Sequence, residues 1–311
     1  MTTHDTRPRL ACMLAGALLL LSALTAQAQS VAFTFDDGPS LRTMPLMTPT
    51  QRNQAMLDAL AKQHVQAALF VTADNGANTP AGLALARQWG EAGHLIGNHT
   101  MTHPDLHKST VEQYQREILD CDAIIRALPG YQKWFRYPYL REGDTPEKRD
   151  AIRAFLKQEG YRNAYVSLDT SDWRLDAKLV EVLEKDPRAD ISTIKTAYLA
   201  HIRQRALAYQ ALSRALQGRD IAQVILLHHN LTSALWLGDV IAQFKDMGWT
   251  ITTPAAAFAD PIYQLAPERS MAGQSLLLSI GRLMGLGKYP GGERLVDDGD
   301  FEIDALAKRG L

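Results

Sequence analysis

The sequence predicts an α/β protein in which about seven parallel strands, most of them followed by a helix, close into a barrel. Two observations predict this fold. Short β-rich runs alternate with amphipathic stretches of helical length along most of the chain, which is the pattern of a parallel sheet covered by helices. In addition, acidic residues and histidines follow directly after several predicted strands, and functional side chains gather at the C-terminal ends of barrel strands.

The predicted elements follow one another in a regular order. The predicted strands are residues 31–35, 67–72, 94–97, 134–137, 164–168, 223–227 and 249–252. The predicted helices are residues 50–63, 80–92, 110–128, 145–159, 178–218 with an interruption near Pro187, 239–247 and 275–286. Glycine and proline end several elements, for example at Gly38-Pro39 after the first strand and at Pro129-Gly130 after the third helix.

The N-terminal segment has the features of a secretory signal. Arg7 and Arg9 precede an apolar run over residues 10–24, and small residues stand at Ala26 and Ala28, where a signal peptidase recognises them. A membrane anchor is the alternative, but the run of about 15 residues is shorter than the roughly 20 that span a bilayer. We therefore predict a signal peptide over residues 1–28, no stable membrane insertion after its cleavage, and a periplasmic or secreted protein.

The composition indicates which classes of partner the chain can bind and what stabilises its fold. The chain has 311 residues, of which 46% are hydrophobic and 22% are charged, as in a globular protein with a sizeable core. Its net charge of -1 argues against nucleic acid, which attracts basic proteins, and favours a neutral substrate. Cleavage of the signal would leave Cys121 as the sole cysteine. Stability must then come from the core rather than from an intrachain disulfide.

Five short strings contain the residue types of a metal-dependent hydrolase. They are Thr34-Phe-Asp-Asp-Gly-Pro39, His99-Thr-Met-Thr-His103, Arg136-Tyr-Pro-Tyr139, Asp169-Thr-Ser-Asp-Trp173 and Leu226-Leu-His228. Asp36 and Asp37 point in different directions at the end of a strand, so one can bind a metal while the other faces water. His99 and His103 are four residues apart, and on a helical turn both rings would project to one side.

Each string alone has an ordinary structural explanation. An Asp-Asp-Gly turn is most often a solvated turn, and two histidines at this spacing also occur by chance. In their fixed order, however, the five strings resemble the polysaccharide deacetylase family (NodB homology domain, carbohydrate esterase family 4) from residue 34 to about residue 263. The resemblance implies a distorted β/α barrel of the NodB type that removes acetyl groups from N-acetylated carbohydrate, of the chitooligosaccharide or peptidoglycan kind.

The resemblance also implies a role for each matching residue. Asp36 would act as general base and would be oriented by Arg136, while the late histidine would act as general acid. One divalent metal ion, zinc or alternatively cobalt or nickel, would activate the attacking water and polarise the acetyl group. The metal ligands would be Asp37, His99 and His103, and the substrate-binding residues would be Pro138, Tyr139, whose backbone N–H would hold the oxyanion, and Trp173.

Two assignments within the strings stay open. His228 and His229 both fit the late histidine, and neighbouring residues on a strand face opposite sides of the sheet. We favour His228 because it directly extends the predicted strand 223–227. Asp172 is our choice for the partner of the acid histidine, with Asp169 as the alternative.

The chain is predicted to have three parts: the signal peptide 1–28, a deacetylase domain 29–263 and a C-terminal helical extension 264–311. The loop 41–50 is unusually apolar, and the helical stretch 178–218 is an insertion before the last catalytic strand. Both segments could wall off the site and restrict it to short oligosaccharides or to a small acyl ester. The alternatives to an N-deacetylase are an O-acetyl esterase acting on xylan and a non-catalytic glycan-binding protein that retains the fold.

Overall fold

The computed structural model describes residues 29–268, 275–288 and 290. The predicted signal peptide lies outside the described residues, as does much of the predicted C-terminal extension. Among the described helices, none combines the length and the apolar character that a membrane span requires. The predicted domain boundaries at residues 28 and 263 therefore stay predictions.

A curled parallel sheet forms the centre of the protein and confirms the predicted fold class. Its strands are β1 (Ser30–Gly38), β2 (Ala68–Val71), β3 (Leu95–Asn98), β4 (Tyr131–Phe135), β5 (Arg162–Asn163), β6 (Leu168–Asp169), β7 (Ala222–His228) and β8 (Thr250–Ile251). Seven strands follow the order β5-β4-β3-β2-β1-β7-β6, and β8 pairs with the start of β1. In the described part of the chain β5 and β6 stand at opposite ends of this path, so the barrel is open.

The central strand β1 is buried on both faces because the sheet is covered by helices. Every residue from Val31 to Asp36 is buried, and such near-continuous burial is typical of parallel strands. β1 pairs with β2 on one side and with β7 on the other. In the β1–β7 ladder Thr34 lies beside Leu226, and Asp36 lies beside His228. The ladder therefore sets two polar residues of the sequence strings next to each other.

Nine α-helices cover the described part of the sheet, and many of them begin with a capping threonine. They are α1 (Pro49–Gln63), α2 (Pro80–Glu91), α3 (Val111–Ile125), α4 (Pro146–Gln158), α5 (Asp172–Lys185), α6 (Ser192–Gln217), α7 (Leu231–Asp246), α8 (Pro254–Phe258) and α9 (Leu276–Leu283). Thr48, Thr79, Thr145 and Thr253 each accept a backbone N–H of the first turn and precede a proline. This combination favours helix initiation.

Several predicted elements differ from the structure. The helix predicted to begin at 178 begins at Asp172, as α5. The predicted strand 164–168 is instead two short strands, β5 and β6, because Ala164 N–H bonds to the carbonyl of Phe135 whereas Ser167 N–H bonds to that of Val224. The strand predicted at 134–137 begins and ends earlier, as β4. α7 begins eight residues before the predicted start at 239, because the side chain of Asn230 caps it by accepting Ser233 N–H.

The C-terminal helix α9 docks on the open side of the barrel. Leu276, Leu277 and Leu278 are buried in the main core, and α9 packs against the long helix α6. Leu276 N–H donates to the carbonyl of Val166, in the segment that connects β5 to β6. The described part of the predicted extension therefore covers the region where the sheet does not close.

Burial of His94 makes the stability of the fold dependent on pH. The residue is 4% exposed, and its Nδ1 accepts the N–H of Ala67 at 3.3 Å. Burial lowers the pKa of His94 to about 4, from 6.5. As the pH falls from 6.5 to 4, the unfolded chain binds a proton that the folded chain does not, so the free energy of unfolding should fall by up to about 1.4 kcal/mol per pH unit.

Urea unfolding between pH 7 and 5 checks this expectation. His94→Asn keeps an acceptor near the position of Nδ1 and abolishes the titration, so its stability should fall less steeply than that of the wild type as the pH is lowered. His64→Asn, at an exposed position that ends α1, is the control and should follow the wild-type profile. Equal slopes for His94→Asn and the wild type would contradict the assignment.

Candidate active site

The five sequence strings meet in one cleft at the C-terminal edge of the sheet. The cleft has a volume of about 400 Å³. Its lining residues are Asp36, Asp37, His99, His103, Tyr139, Leu140, Arg141, Asp169, Trp173, Leu226 and His228. Because parallel strands end at the same edge, side chains that are far apart in sequence come together here.

Asp37, His99 and His103 form a cluster whose geometry fits a metal ion. Their ligand atoms all lie within 4.8 Å of one another. Asp37 Oδ1 is 3.8 Å from His99 Nε2 and 3.5 Å from His103 Nε2. His99 Nδ1 lies 2.8 Å from the carbonyl of Arg136, so Nδ1 carries the proton and the Nε2 lone pair faces Asp37. One carboxylate and two imidazoles in this arrangement are a donor set that suits a catalytic zinc-type ion.

The protonation states of this cluster favour metal binding. Burial lowers the pKa of His103 to about 4, and the nearby Asp37 only partly opposes this effect. Burial alone would raise the pKa of Asp37, but His103, His99 and His228 together lower it. At neutral pH the aspartate is therefore ionised and His103 is neutral, which are the forms that bind metals.

The two histidines lie on an irregular loop, and the helical turn expected from their spacing is wrong. Thr100 and His103 both have left-handed backbone conformations, with φ of 75° and 58°. Asn98 Oδ1 accepts the Thr100 N–H at 2.8 Å, and Thr100 Oγ1 accepts the His103 N–H at 3.0 Å. Local side-chain hydrogen bonds, rather than helical periodicity, bring the two rings to within 4.9 Å of each other.

Asp36 is held by a buried arginine. Arg136 Nη1 donates to Asp36 Oδ1 at 2.6 Å and to Thr34 Oγ1 at 2.9 Å, and its Nε donates to the carbonyl of Ala164 at 3.0 Å. Asp36 and Arg136 are 2% and 1% exposed, so the ion pair is shielded from water. The second oxygen of Asp36 lies 3.6 Å from His99 Nε2. One carboxylate oxygen is thus fixed while the other faces the metal cluster.

His228 and His229 occupy different surroundings, as expected for neighbours on a strand. His228 lines the cleft, and its Nδ1 lies 2.6 Å from Asp172 Oδ1. His229 is buried away from that cleft, where its Nε2 lies 3.0 Å from Asn53 Oδ1. The structure therefore brings His228, together with its partner Asp172, into the same cleft as the Asp37–His99–His103 cluster. Asp169 also lines the cleft, and it accepts the N–H of Ser171.

The two histidines also differ in proton affinity. Burial alone would lower the pKa of His228, but the charge and hydrogen bond of Asp172 outweigh it and raise the pKa to about 10. Burial, together with the nearby Arg52, lowers the pKa of His229 to about 3. His228 is thus the one of the two histidines that is doubly protonated and positively charged at neutral pH.

Two half-exposed aromatic side chains border the cleft. Tyr139 is 50% exposed and Trp173 is 42% exposed. The centre of the Tyr139 ring lies 4.5 Å from the centre of the His103 ring and 5.3 Å from the Arg141 guanidinium. Pro138, which was predicted to bind substrate, is buried and does not line the cleft. It sets the backbone before Tyr139 rather than forming a pocket wall.

The loop 41–50 and the helical stretch 178–218 were expected to wall off the site. The loop borders the site, whereas α6 of the helical stretch packs behind it. Leu41, Arg42 and Met44 line a second compartment of about 520 Å³ that shares Asp37, Trp173 and His228 with the cleft. The insertion helix α6 lines neither compartment. Its buried His201 and Arg205 contact the carbonyls of Thr170 and Asp169 at 2.8 and 3.2 Å, behind the loop that leads to Asp172 at the start of α5.

Strained backbone is concentrated in the sequence strings. Of the eight described non-glycine residues with positive φ, six lie within or next to them: Asp37, Thr100, His103, Tyr139, Leu140 and Ser171. Such conformations cost of order 1–3 kcal/mol each and persist where the surrounding structure enforces them, often at functional sites. The sequence did not predict this strain, because φ at these positions is set by contacts in the folded chain. It did not predict the contributions of Arg141 and Asn230 either, because neither residue belongs to a distinctive motif.

Comparison with known proteins identifies similar families. Residues 23–164 match the family model described as polysaccharide deacetylase. A peptidoglycan-N-acetylglucosamine deacetylase of Bacillus cereus is 32% identical over 145 residues, which are 46% of this chain and 46% of that protein. A chitooligosaccharide deacetylase of Sinorhizobium fredii is 33% identical over 148 residues, which are 47% of this chain and 60% of that protein. The matches thus span about half of these relatives.

Solved structures share the fold. A peptidoglycan N-acetylglucosamine deacetylase has a TM-score of 0.52 at 24% identity and covers 78% of this chain and 92% of its own. A family 4 acetyl xylan esterase from Clostridium thermocellum, solved with cobalt, has a TM-score of 0.50 at 22% identity. The match covers 74% of this chain and 90% of the esterase. A carbohydrate esterase family 4 pseudoenzyme has a TM-score of 0.52 at 16% identity, and the match covers 75% of this chain and 68% of the pseudoenzyme.

Removal of Arg136 should destabilise the protein strongly. We expect Arg136→Gln to lower the free energy of unfolding by about 3 kcal/mol, because the Asp36 carboxylate would stay buried without its ion-pair partner. Asp36→Asn in the same chain should restore part of the loss, since it removes the unpaired charge. Urea unfolding of the single and double variants measures both effects.

The exposed pair Arg214–Asp220, with an N–O distance of 2.6 Å, provides the control. Arg214→Gln should cost less than about 1 kcal/mol, because water screens exposed ion pairs. Similar losses for Arg136→Gln and Arg214→Gln would contradict the view that the buried pair organises the site.

Proposed function

Because the chain belongs to the polysaccharide deacetylase family, we propose that it is an exported, metal-dependent hydrolase that removes acetyl groups from N-acetylated carbohydrate. The observation that carries this proposal is the meeting of three groups in one cleft: the Asp37–His99–His103 cluster, the Asp36–Arg136 pair and the His228–Asp172 pair. Together they supply a metal site, a proton acceptor and a proton donor.

The metal cluster would bind one divalent ion, for which zinc is the first candidate and cobalt or nickel are alternatives. Asp37 Oδ1 and the Nε2 atoms of His99 and His103 would be its ligands. A bound ion would supply Lewis acidity, which polarises the acetyl carbonyl and makes water more acidic. Three protein ligands leave coordination positions for water and substrate, as in catalytic zinc sites.

Asp36 is the proposed general base. Arg136 holds its carboxylate in place, and its Oδ2 lies 3.6 Å from His99 Nε2 of the proposed metal site. From there it can accept the proton of a water molecule that attacks the acetyl carbon. The Arg136 guanidinium keeps the carboxylate oriented between turnovers.

His228 is the proposed general acid. Hydrolysis of an acetamide expels an amine, which must be protonated as the carbon–nitrogen bond breaks. Asp172 accepts the Nδ1–H of His228, so Nε2 is the ring nitrogen that can donate its proton to the leaving amine. The raised pKa of His228 supports the protonated form before this step. The backbone N–H of Tyr139 is the proposed donor to the developing oxyanion.

Acetylated oligosaccharide is the proposed substrate class. Half-exposed Tyr139 and Trp173 offer aromatic faces at the rim of the cleft, and the named relatives act on peptidoglycan and on chitooligosaccharides. O-acetyl ester hydrolysis is the second candidate, because an acetyl xylan esterase shares the fold. A purely glycan-binding role is less well supported, since binding requires neither a metal cluster nor an acid–base pair. Export through the N-terminal signal completes the proposal.

Acetate release is the direct test of the function. Purified protein should release acetate from chitooligosaccharides or peptidoglycan fragments, lose this activity on chelation and regain it with zinc or cobalt. Asp36→Asn should reduce the rate by about 100-fold or more, because general base catalysis contributes that much. Asp246→Asn, at an exposed aspartate that ends α7, should leave the rate unchanged.

Acetylated xylan belongs in the same panel. Release from xylan alone would transfer the proposal to the esterase. Glycan binding by metal-loaded protein without acetate release from any substrate would exclude both reactions.

The identity of the acid histidine can be tested by changing the leaving group. His228→Gln should reduce turnover of N-acetyl substrates by about 100-fold or more, but should affect an aryl acetate ester far less, because a phenolate leaves without protonation. The ratio of amide to ester rates measures the effect. His229→Gln should leave this ratio at its wild-type value. Loss of amide selectivity in His229→Gln rather than in His228→Gln would reverse the assignment.

A further inference from the structure

Asn230 connects the acid pair of the cleft to the start of helix α7. The residue is 6% exposed and lies two positions after His228. Its Nδ2 donates to Asp172 Oδ2 at 2.9 Å. Its Oδ1 accepts the Ser233 N–H and the Thr232 hydroxyl, each at 2.9 Å. One side chain therefore contacts both the carboxylate behind His228 and the first turn of α7.

The orientation of this amide is fixed by its surroundings. The Ser233 backbone N–H can only donate, so the atom that faces it must be the Asn230 oxygen. The amide nitrogen then has to face Asp172, which as a carboxylate can only accept. If the amide oxygen and nitrogen of Asn230 exchanged places, two donors would face each other at Ser233 and two acceptors would face each other at Asp172.

The Asp172 carboxylate is enclosed by hydrogen-bond donors. Asp172 is fully buried. Its Oδ1 pairs with His228 Nδ1 at 2.6 Å, and its Oδ2 accepts both the His228 N–H at 3.0 Å and the Asn230 amide. A buried carboxylate needs such donors to remain charged. Two of the three come from His228 itself, so Asn230 is the one among them that holds the carboxylate independently of the histidine.

We propose that Asn230 is a positioning residue that locks the Asp172 carboxylate in plane with the His228 ring and thereby aims His228 Nε2 into the cleft. Without the amide donor, Oδ2 would keep only the backbone N–H, and the carboxylate could rotate about its own side-chain bond. The ring would then lose the fixed partner that sets its direction. This inference rests on the proposed role of His228 as general acid.

A test of the proposal must separate the capping of α7 from the support of Asp172. Asn230 caps α7 and also supports Asp172, so Asn230→Ala would lose both contacts. Serine is as good an N-cap as asparagine, so Asn230→Ser keeps the cap and removes the donor to Asp172. Asn230→Asp keeps the size and the cap acceptor while setting a carboxylate against Asp172. Thr253→Ala removes the distant cap of α8 and serves as the control for loss of a cap alone.

Kinetics with two leaving groups provides the first readout. Asn230→Ser should lower kcat for N-acetyl substrates by about tenfold or more while KM changes little, because the acid is misdirected but substrate contacts remain. Its rate with an aryl acetate should stay within about threefold of wild type. Asn230→Asp should show the same selective loss, and Thr253→Ala should show none. A wild-type amide-to-ester ratio in Asn230→Ser would overturn the proposal.

Proton NMR of the hydrogen-bonded imidazole provides a readout that needs no turnover. The His228 Nδ1–H in contact with Asp172 should give a downfield resonance, identified by its absence in His228→Gln. In Asn230→Ser this resonance should shift upfield or broaden, and in Thr253→Ala it should stay in place. An unchanged resonance in Asn230→Ser would overturn the proposal. Absence of acetate release by the wild type, with the resonance shifted in Asn230→Ser, would instead count against the proposed function and leave the positioning role supported.

Discussion

The buried guanidinium of Arg136 connects most of the strands that build the site. It binds Asp36 and Thr34 on β1 and the carbonyl of Ala164 after β5, and it lies 3.9 Å from the ring centre of Phe70 on β2. The backbone of the same residue pairs with β3, and its carbonyl orients the ring of His99. A buried cation is costly unless a negative charge is paired with it. The curvature of the sheet and the direction of these side chains are therefore constrained together.

The cleft has two halves of different origin. The Asp37–His99–His103 cluster and the proposed base come from β1, β3 and their loops, within the segment that matches the family model. The His228–Asp172 pair comes from β7 and α5, beyond that segment, and the long helix α6 packs behind the loop before α5. The family model thus accounts for one half of the site. The other half depends on contacts between residues that are far apart in the sequence, such as the contact of Asn230 with Asp172.

Much of the fold and the membership of the site could be predicted from sequence, because strand alternation and the positions of Asp36, His99 and His228 after strands are local signals. The conformation of the histidine loop was not predictable, since hydrogen bonds from Asn98 and Thr100 replace helical geometry there. The split of the strand at 164–168 depends on which neighbours Ala164 and Ser167 find in the sheet. The choice between His228 and His229 likewise needed the sheet register, which a single sequence does not contain.

The β1–β7 ladder sets Asp36 beside His228, and neighbouring strands lie about 4.8 Å apart. The separation between the proposed proton acceptor and donor is therefore a property of the backbone rather than of any loop. A slip of one residue would turn His228 into the core, bring His229 to the cleft and leave Asp172 without its partner. The loops around the cleft can consequently differ in length and composition without changing the separation between the proposed proton acceptor and the proposed proton donor.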